Sequence, residues 1–190
     1  MKILMSACLV GDNVMYAGDN FLNDFIKRII EHSEVEIVKF CPEHSVLGTP
    51  RNNMLIHDGD GFDVLEGRAK ILDTESRDCT EVMMEGAHKM LNLALRENPD
   101  LVILTEGSDS CGSNIILDPE TESNGKYQFK KGMGLAAALL KKHGFNIMGH
   151  MNEVKIEELL NSKLSDYSIR SGLKRLEEMP FYPKEEGGAS

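Results

Sequence analysis

Several things are missing from this 190-residue chain, and each absence narrows its chemistry. No apolar run approaches the roughly 20 residues needed to cross a bilayer, so a membrane bundle is excluded. There is no excess of base. Lys and Arg number 21 against 31 Asp and Glu, a net charge of −10 at pH 7. So acidic a chain lacks the footprint for bulk nucleic acid, although a local patch can still take an anion. No Cys-x-x-Cys occurs, which removes zinc ribbons and thioredoxin-like redox motifs. The six histidines are scattered, with no pair at ligand spacing. There is no internal repeat and no low-complexity tract. The first ten residues carry one base and a short apolar stretch, without a small-residue cleavage site. A buried first strand is expected there rather than a signal peptide. The expected setting is therefore cytoplasmic and reducing, where structural disulfides are disfavoured.

What is present is an ordinary globular balance, 41% hydrophobic and 27% charged, in a length that suits one domain. Periodicity predicts strands at residues 2–7, 35–40, 101–104 and 145–148. Helical spacing covers 20–32, 78–98 and 135–143, with Pro99 and Gly144 as stops. Residues 53–56 and 62–65 read as the arms of a hairpin or loop, and 69–72 as another short strand. Residues 120–131 are polar and read as an exposed excursion, with Lys126, Lys130 and Lys131 as a solvated face or a phosphate contact. Residues 154–160 and 169–178 read as terminal helices. Strands alternating with helices imply an α/β, Rossmann-like, mostly parallel sheet with helices on both faces. The expected organisation is an α/β domain over 1–150, a C-terminal helical extension over 151–183 and a flexible tail at 184–190.

The four cysteines carry the chemistry. Cys8 follows the first strand, Cys41 the second, and Cys111 lies in the loop after 101–104. In a parallel sheet all strands end on one edge, and the loops there build the ligand site. Each thiol also sits beside a turn-shaping residue: Gly11, Pro42 and Gly112. Three thiolates on one rim suit a metal centre with an open position, either an iron–sulfur cluster or zinc. Buried cysteines are common in cores, so any one of them alone would read as packing. Cys79 falls at a helix start rather than a strand end. It is expected to lie outside the set, although a fourth ligand is conceivable.

Taken in order, Ser6-Ala7-Cys8-Leu9-Val10-Gly11, Tyr16 with Gly18, Cys41-Pro42-Glu43, Pro50-Arg51, Asp78-Cys79-Thr80, Ser108-Asp109-Ser110-Cys111-Gly112 and Gly132 with Gly134 resemble the thiouracil desulfidase family. The resemblance runs from residue 3 to about residue 150. It implies a [4Fe-4S] cluster on Cys8, Cys41 and Cys111 with one iron free of protein ligands. It implies a non-redox reaction that turns a thiolated pyrimidine into its oxo form and releases sulfide. It assigns catalysis to Glu43 and Ser108, with Ser110, Arg51 and Gly134 as substrate contacts. The implied partner is a small thiopyrimidine, with no bulk nucleic acid and no membrane. Glu43 is the expected base that activates water, and Ser108 a group that orients water or ring. A serine in such a loop also commonly caps a turn. Departures from the family pattern include Asp109 where proline is usual, and His44-Ser45-Val46-Leu47-Gly48 after Glu43. A zinc hydrolase or lyase on three thiolates is the competing enzyme reading. A cluster-binding sulfur carrier or sensor is the non-enzymatic one.

Overall fold

The computed structural model describes residues 1–184, so most of the tail expected at 184–190 lies outside the described residues. Four strands form one parallel sheet in the order β2-β1-β5-β8: β1 (Lys2–Ser6), β2 (Glu36–Phe40), β5 (Leu101–Leu104) and β8 (Ile147–Gly149). The register places Ile3 beside both Ile37 and Leu101. Alternation along β1 sends Ile3 and Met5 to one face and Leu4 to the other. Ile3, Met5, Leu101 and Ile103 pack with α1 (Asp24–Ile30) and α6 (Glu153–Lys163). Leu4, Val102 and Leu104 pack with α4 (Thr80–Glu97) and α5 (Leu135–Lys142). Helices therefore cover both faces, as the alternation of elements predicts. Each fully buried aliphatic side chain contributes roughly 1.5–3 kcal/mol.

Two short antiparallel pairs flank this sheet. The first joins β3 (Met54–His57) to β4 (Lys70–Asp73), and the second joins β6 (Ile115–Ser123) to β7 (Lys126–Lys131). The predicted strand at 62–65 is instead α3 (Gly61–Leu65). Asp60 accepts from the backbone N–H of Phe62 and Asp63, and Asp63 reaches back to the Asp60 N–H. That capping box outweighs the strand-like composition of the segment. A one-turn α2 (His44–Leu47) follows Cys41.

The helix predicted at 169–178 is also absent, apart from a 3-10 turn at Leu176–Glu178. The backbone N–H groups of Arg170 and Lys174 donate to the side chains of Glu157 and Glu153 rather than to helical carbonyls. The C-terminal segment is thus one helix followed by an extended strap. Among the described residues no helix is long and apolar enough to cross a membrane.

Candidate active site

The chain reverses its build direction at β1. From there β2 extends the sheet one way and β5 the other. Crevices open at such a switch, beyond the carboxyl ends of the strands. A cavity of about 460 Å³ lies there. Cys8 stands in a 3-10 turn just after β1, Cys41 directly after β2, and Cys111 in the loop after β5. All three line the cavity, and Cys79 is not among its lining residues. The switch point is spanned by a hydrogen bond of 3.0 Å between Cys8 Sγ and Thr105 Oγ1. The Thr105 N–H in turn donates to Ser6 Oγ.

All four cysteines are free thiols. Burial pushes the Cys8 thiol up, and it pushes Cys41 up to about 11, with Glu43 adding to the effect. Cys111 is raised furthest, by burial first and then by Cys41. The three groups thus oppose one another's ionisation. Such a set is stable as thiolates only around something cationic. Among the described residues no three His, Cys, Asp or Glu side chains are gathered as the ligand set of a single ion.

Glu43 also lines the cavity, and both of its oxygens are held. Oε2 accepts from Arg51 Nε at 2.9 Å and Nη2 at 2.8 Å, and Oε1 accepts from Ser110 Oγ at 2.8 Å. Arg51 is almost fully buried and also donates to Gly48 O and Thr49 Oγ1. Arg51 and Ser110, expected as substrate contacts, are therefore bonded to Glu43. Arg51 lines the cavity as well, and Ser110 stands behind the carboxylate. The Ser108 hydroxyl oxygen accepts from the N–H of Ser110 and of Cys111. It closes the turn that presents Cys111, and its own proton stays available to the cavity, which Ser108 lines. Gly134 does not line the cavity. It begins α5 with its Cα against the Ser108–Ser110 backbone, where a Cβ would come 2.5 Å from the Ser110 carbonyl carbon. Its service to the site is to let the helix meet the cysteine loop.

Several site residues escape sequence reasoning. The β6–β7 hairpin, read as a solvated excursion, forms a wall of the cavity through Leu117, Lys126, Tyr127 and Phe129. The alternation of Tyr127 and Phe129 with polar neighbours was the available signal. Lys130 extends from the same hairpin to the carbonyl of Ile56. Glu106 is buried beneath the cysteine loop. It accepts from the N–H of Ser113, Asn114 and Ile115 and from the side chains of Ser113 and Asn114. Asp109 is buried on the cavity wall and accepts from the Ile56 N–H at 2.8 Å. Burial pushes its carboxyl up to about 8.

Three thiols, a clamped carboxylate and a free hydroxyl around one cavity at a sheet switch point make an α/β fold with soft sulfur donors and a positioned acid facing one space. The 2-thiouracil desulfurase family model matches residues 3–152, and the chain belongs to that family. It is an enzyme of carbon–sulfur bond cleavage. An uncharacterized protein of Bacillus subtilis (strain 168), YbbK, is 41% identical over 151 residues, covering 77% of this chain and 93% of that one. A solved structure described as a [4Fe-4S]-dependent thiouracil desulfidase, TudS, superposes with a TM-score of 0.68 at 27% identity, covering 85% of this chain and 98% of that chain.

Proposed function

We propose that this enzyme binds a [4Fe-4S] cluster through Cys8, Cys41 and Cys111 and hydrolyses a thiolated pyrimidine to its oxo form, releasing sulfide. The observation that carries this reading is the convergence of three strand-end thiols and Glu43 on one cavity. The donor set fits the group. Two buried thiols and a half-buried one, whose ionisation burial and mutual repulsion oppose, suit a cationic partner bound through soft sulfur. The family match ends at residue 152, which supports 1–150 as the catalytic unit and 151–183 as an addition to it.

When bound, the cluster supplies an iron without a protein ligand, a Lewis acid that polarises the thiocarbonyl through its soft sulfur. The chain supplies the rest. Glu43 takes a proton from water as the oxygen adds to the ring carbon. Arg51 and Ser110 fix the carboxylate so that this proton transfer has one geometry. The Ser108 hydroxyl donates a hydrogen bond that orients the water or the ring. The hairpin wall and the aromatic side chains Tyr16, Phe21 and Tyr127 give a flat base an apolar lining. Water enters and sulfide leaves, so the carbon changes no oxidation state and no electron donor is required.

Anaerobic purification followed by iron and acid-labile sulfide quantitation tests the cofactor. Roughly four of each per chain are expected. Sulfide release is then measured over 2- and 4-thiopyrimidines as bases, nucleosides and nucleotides. A fully loaded sample that releases sulfide from none of them overturns the reading. Glu43→Gln should lower turnover about 10²–10⁴-fold with iron content unchanged.

A further inference from the structure

The segment after α6 lies beyond the residues matched by the family model, yet it returns to the β6–β7 hairpin. It is fastened stepwise. Arg170 donates through its N–H and its Nε to Glu157, and the Lys174 N–H donates to Glu153, one helical turn nearer the start of α6. Leu176 is fully buried. The strap then reaches the β6–β7 hairpin. There the Phe181 ring lies against Phe129 with centroids 5.3 Å apart and planes at 59°. Tyr182 lies under the Lys131 ammonium, 5.9 Å from its ring centroid.

The single ring of Phe129 does two jobs. It lines the cavity. It also takes the strap's aromatic contact. A two-stranded hairpin has little stability of its own and is held in place by what packs on it. A tilted aromatic pair stabilises beyond the area it buries. That is enough to bias a local opening of the hairpin without threatening the sheet beneath.

We propose that the C-terminal strap is a positioning element for the active site: Phe181 acts through Phe129 to hold the β6–β7 hairpin as the wall against which substrate binds. Phe181 touches neither the thiols nor Glu43. Its loss leaves the chemistry intact and loosens the wall. The proposal rests on the desulfidase reading for its kinetic arm and on the geometry alone for its dynamic arm.

The experiment compares Phe181→Ala and Phe181→Tyr with the full-length parent by hydrogen exchange and by steady-state kinetics. Phe181 is 40% exposed, so both variants are expected to fold, with thermal unfolding as the check. In Phe181→Ala, exchange across residues 115–131 should rise at least fivefold, with β1 and β5 unchanged. KM for the thiopyrimidine should rise about three- to tenfold with kcat within twofold, and Phe181→Tyr should restore both. Unchanged exchange in the hairpin overturns the proposal, as does raised exchange with KM unmoved or a loss confined to kcat. If the loaded parent turns over no thiopyrimidine, the desulfidase reading fails while the exchange arm still decides the strap.

Discussion

The Arg51–Glu43 pair gives the sharpest test of how the site is built. Arg51→Met keeps the length and apolar stem of the side chain and removes four hydrogen bonds, two to Glu43 Oε2 and one each to Gly48 O and Thr49 Oγ1. Breaking a buried ion pair from one side costs about 3–5 kcal/mol, because the other charge stays behind. The Glu43 side chain is 18% exposed, so water relieves part of that penalty. The lower end, about 3 kcal/mol, is the expected loss. For a chain of this size that lowers Tm by about 6–12 °C. Turnover should fall about 100-fold, because a carboxylate held only by Ser110 no longer has a single orientation. Arg51→Lys, which keeps the charge but not the planar fork, should fall between. The double cycle with Glu43→Gln isolates the pair. In that background Arg51→Met should cost only about 1 kcal/mol, since no charge is stranded. Chemical denaturation of all five proteins, alongside sulfide release from the three that retain Glu43, gives the answer. An Arg51→Met protein within 1 kcal/mol and threefold of the parent would falsify the claim that Arg51 clamps the base.

Three further predictions follow from the packing. Gly86→Ala ought to stabilise a helix by about 1 kcal/mol. Here its Cβ would fall 2.4 Å from the Pro42 carbonyl oxygen, so destabilisation by about 1–3 kcal/mol and reduced iron loading are expected, because Cys41 must shift. A more stable variant with full iron content refutes this. Glu157 is fully buried between Arg28 and Arg170, and Glu157→Ala should cost about 3–5 kcal/mol in urea unfolding; a loss under 1 kcal/mol contradicts the assignment. His150 is buried behind Phe21, and burial holds its imidazole down at about 4. The unfolded chain binds that proton near pH 6.5, so stability is full above 6.5 and falls as pH drops toward 4, by about 3 kcal/mol in all. His150→Gln should flatten that part of the profile. An unaltered slope shows that other groups set it.

Legibility differed between the parts of the site for physical reasons. Cys8, Cys41 and Cys111 could be placed because strand ends in a parallel sheet share an edge, and strands of continuous aliphatics such as Leu101–Leu104 announce themselves. Arg51 and Ser110 could be singled out, but not their bonds to Glu43, because the loops that carry them meet only after the sheet forms. Residues 120–131 are exposed as their composition predicts, but their part in the cavity wall was not legible, since the side facing solvent dominates that composition. Residues 169–178 were misread since the acceptors for their N–H groups, Glu153 and Glu157, belong to another element. Gly86 and Gly134 carry no signal of their purpose at all. What they accommodate is backbone distant in sequence.

By itself the sequence determined which groups are available: three thiols at strand ends, one acid beside the second of them, and an α/β alternation. Tertiary structure decided what those groups can do together. It set which carboxylate oxygen each donor takes, which ring walls the cavity, and how a segment beyond the family's matched residues reaches back to brace it. The division has a simple origin. Periodicity and residue chemistry are local and written in order along the chain, whereas hydrogen-bond partners and cavity walls are chosen between segments that only folding brings within a few ångströms.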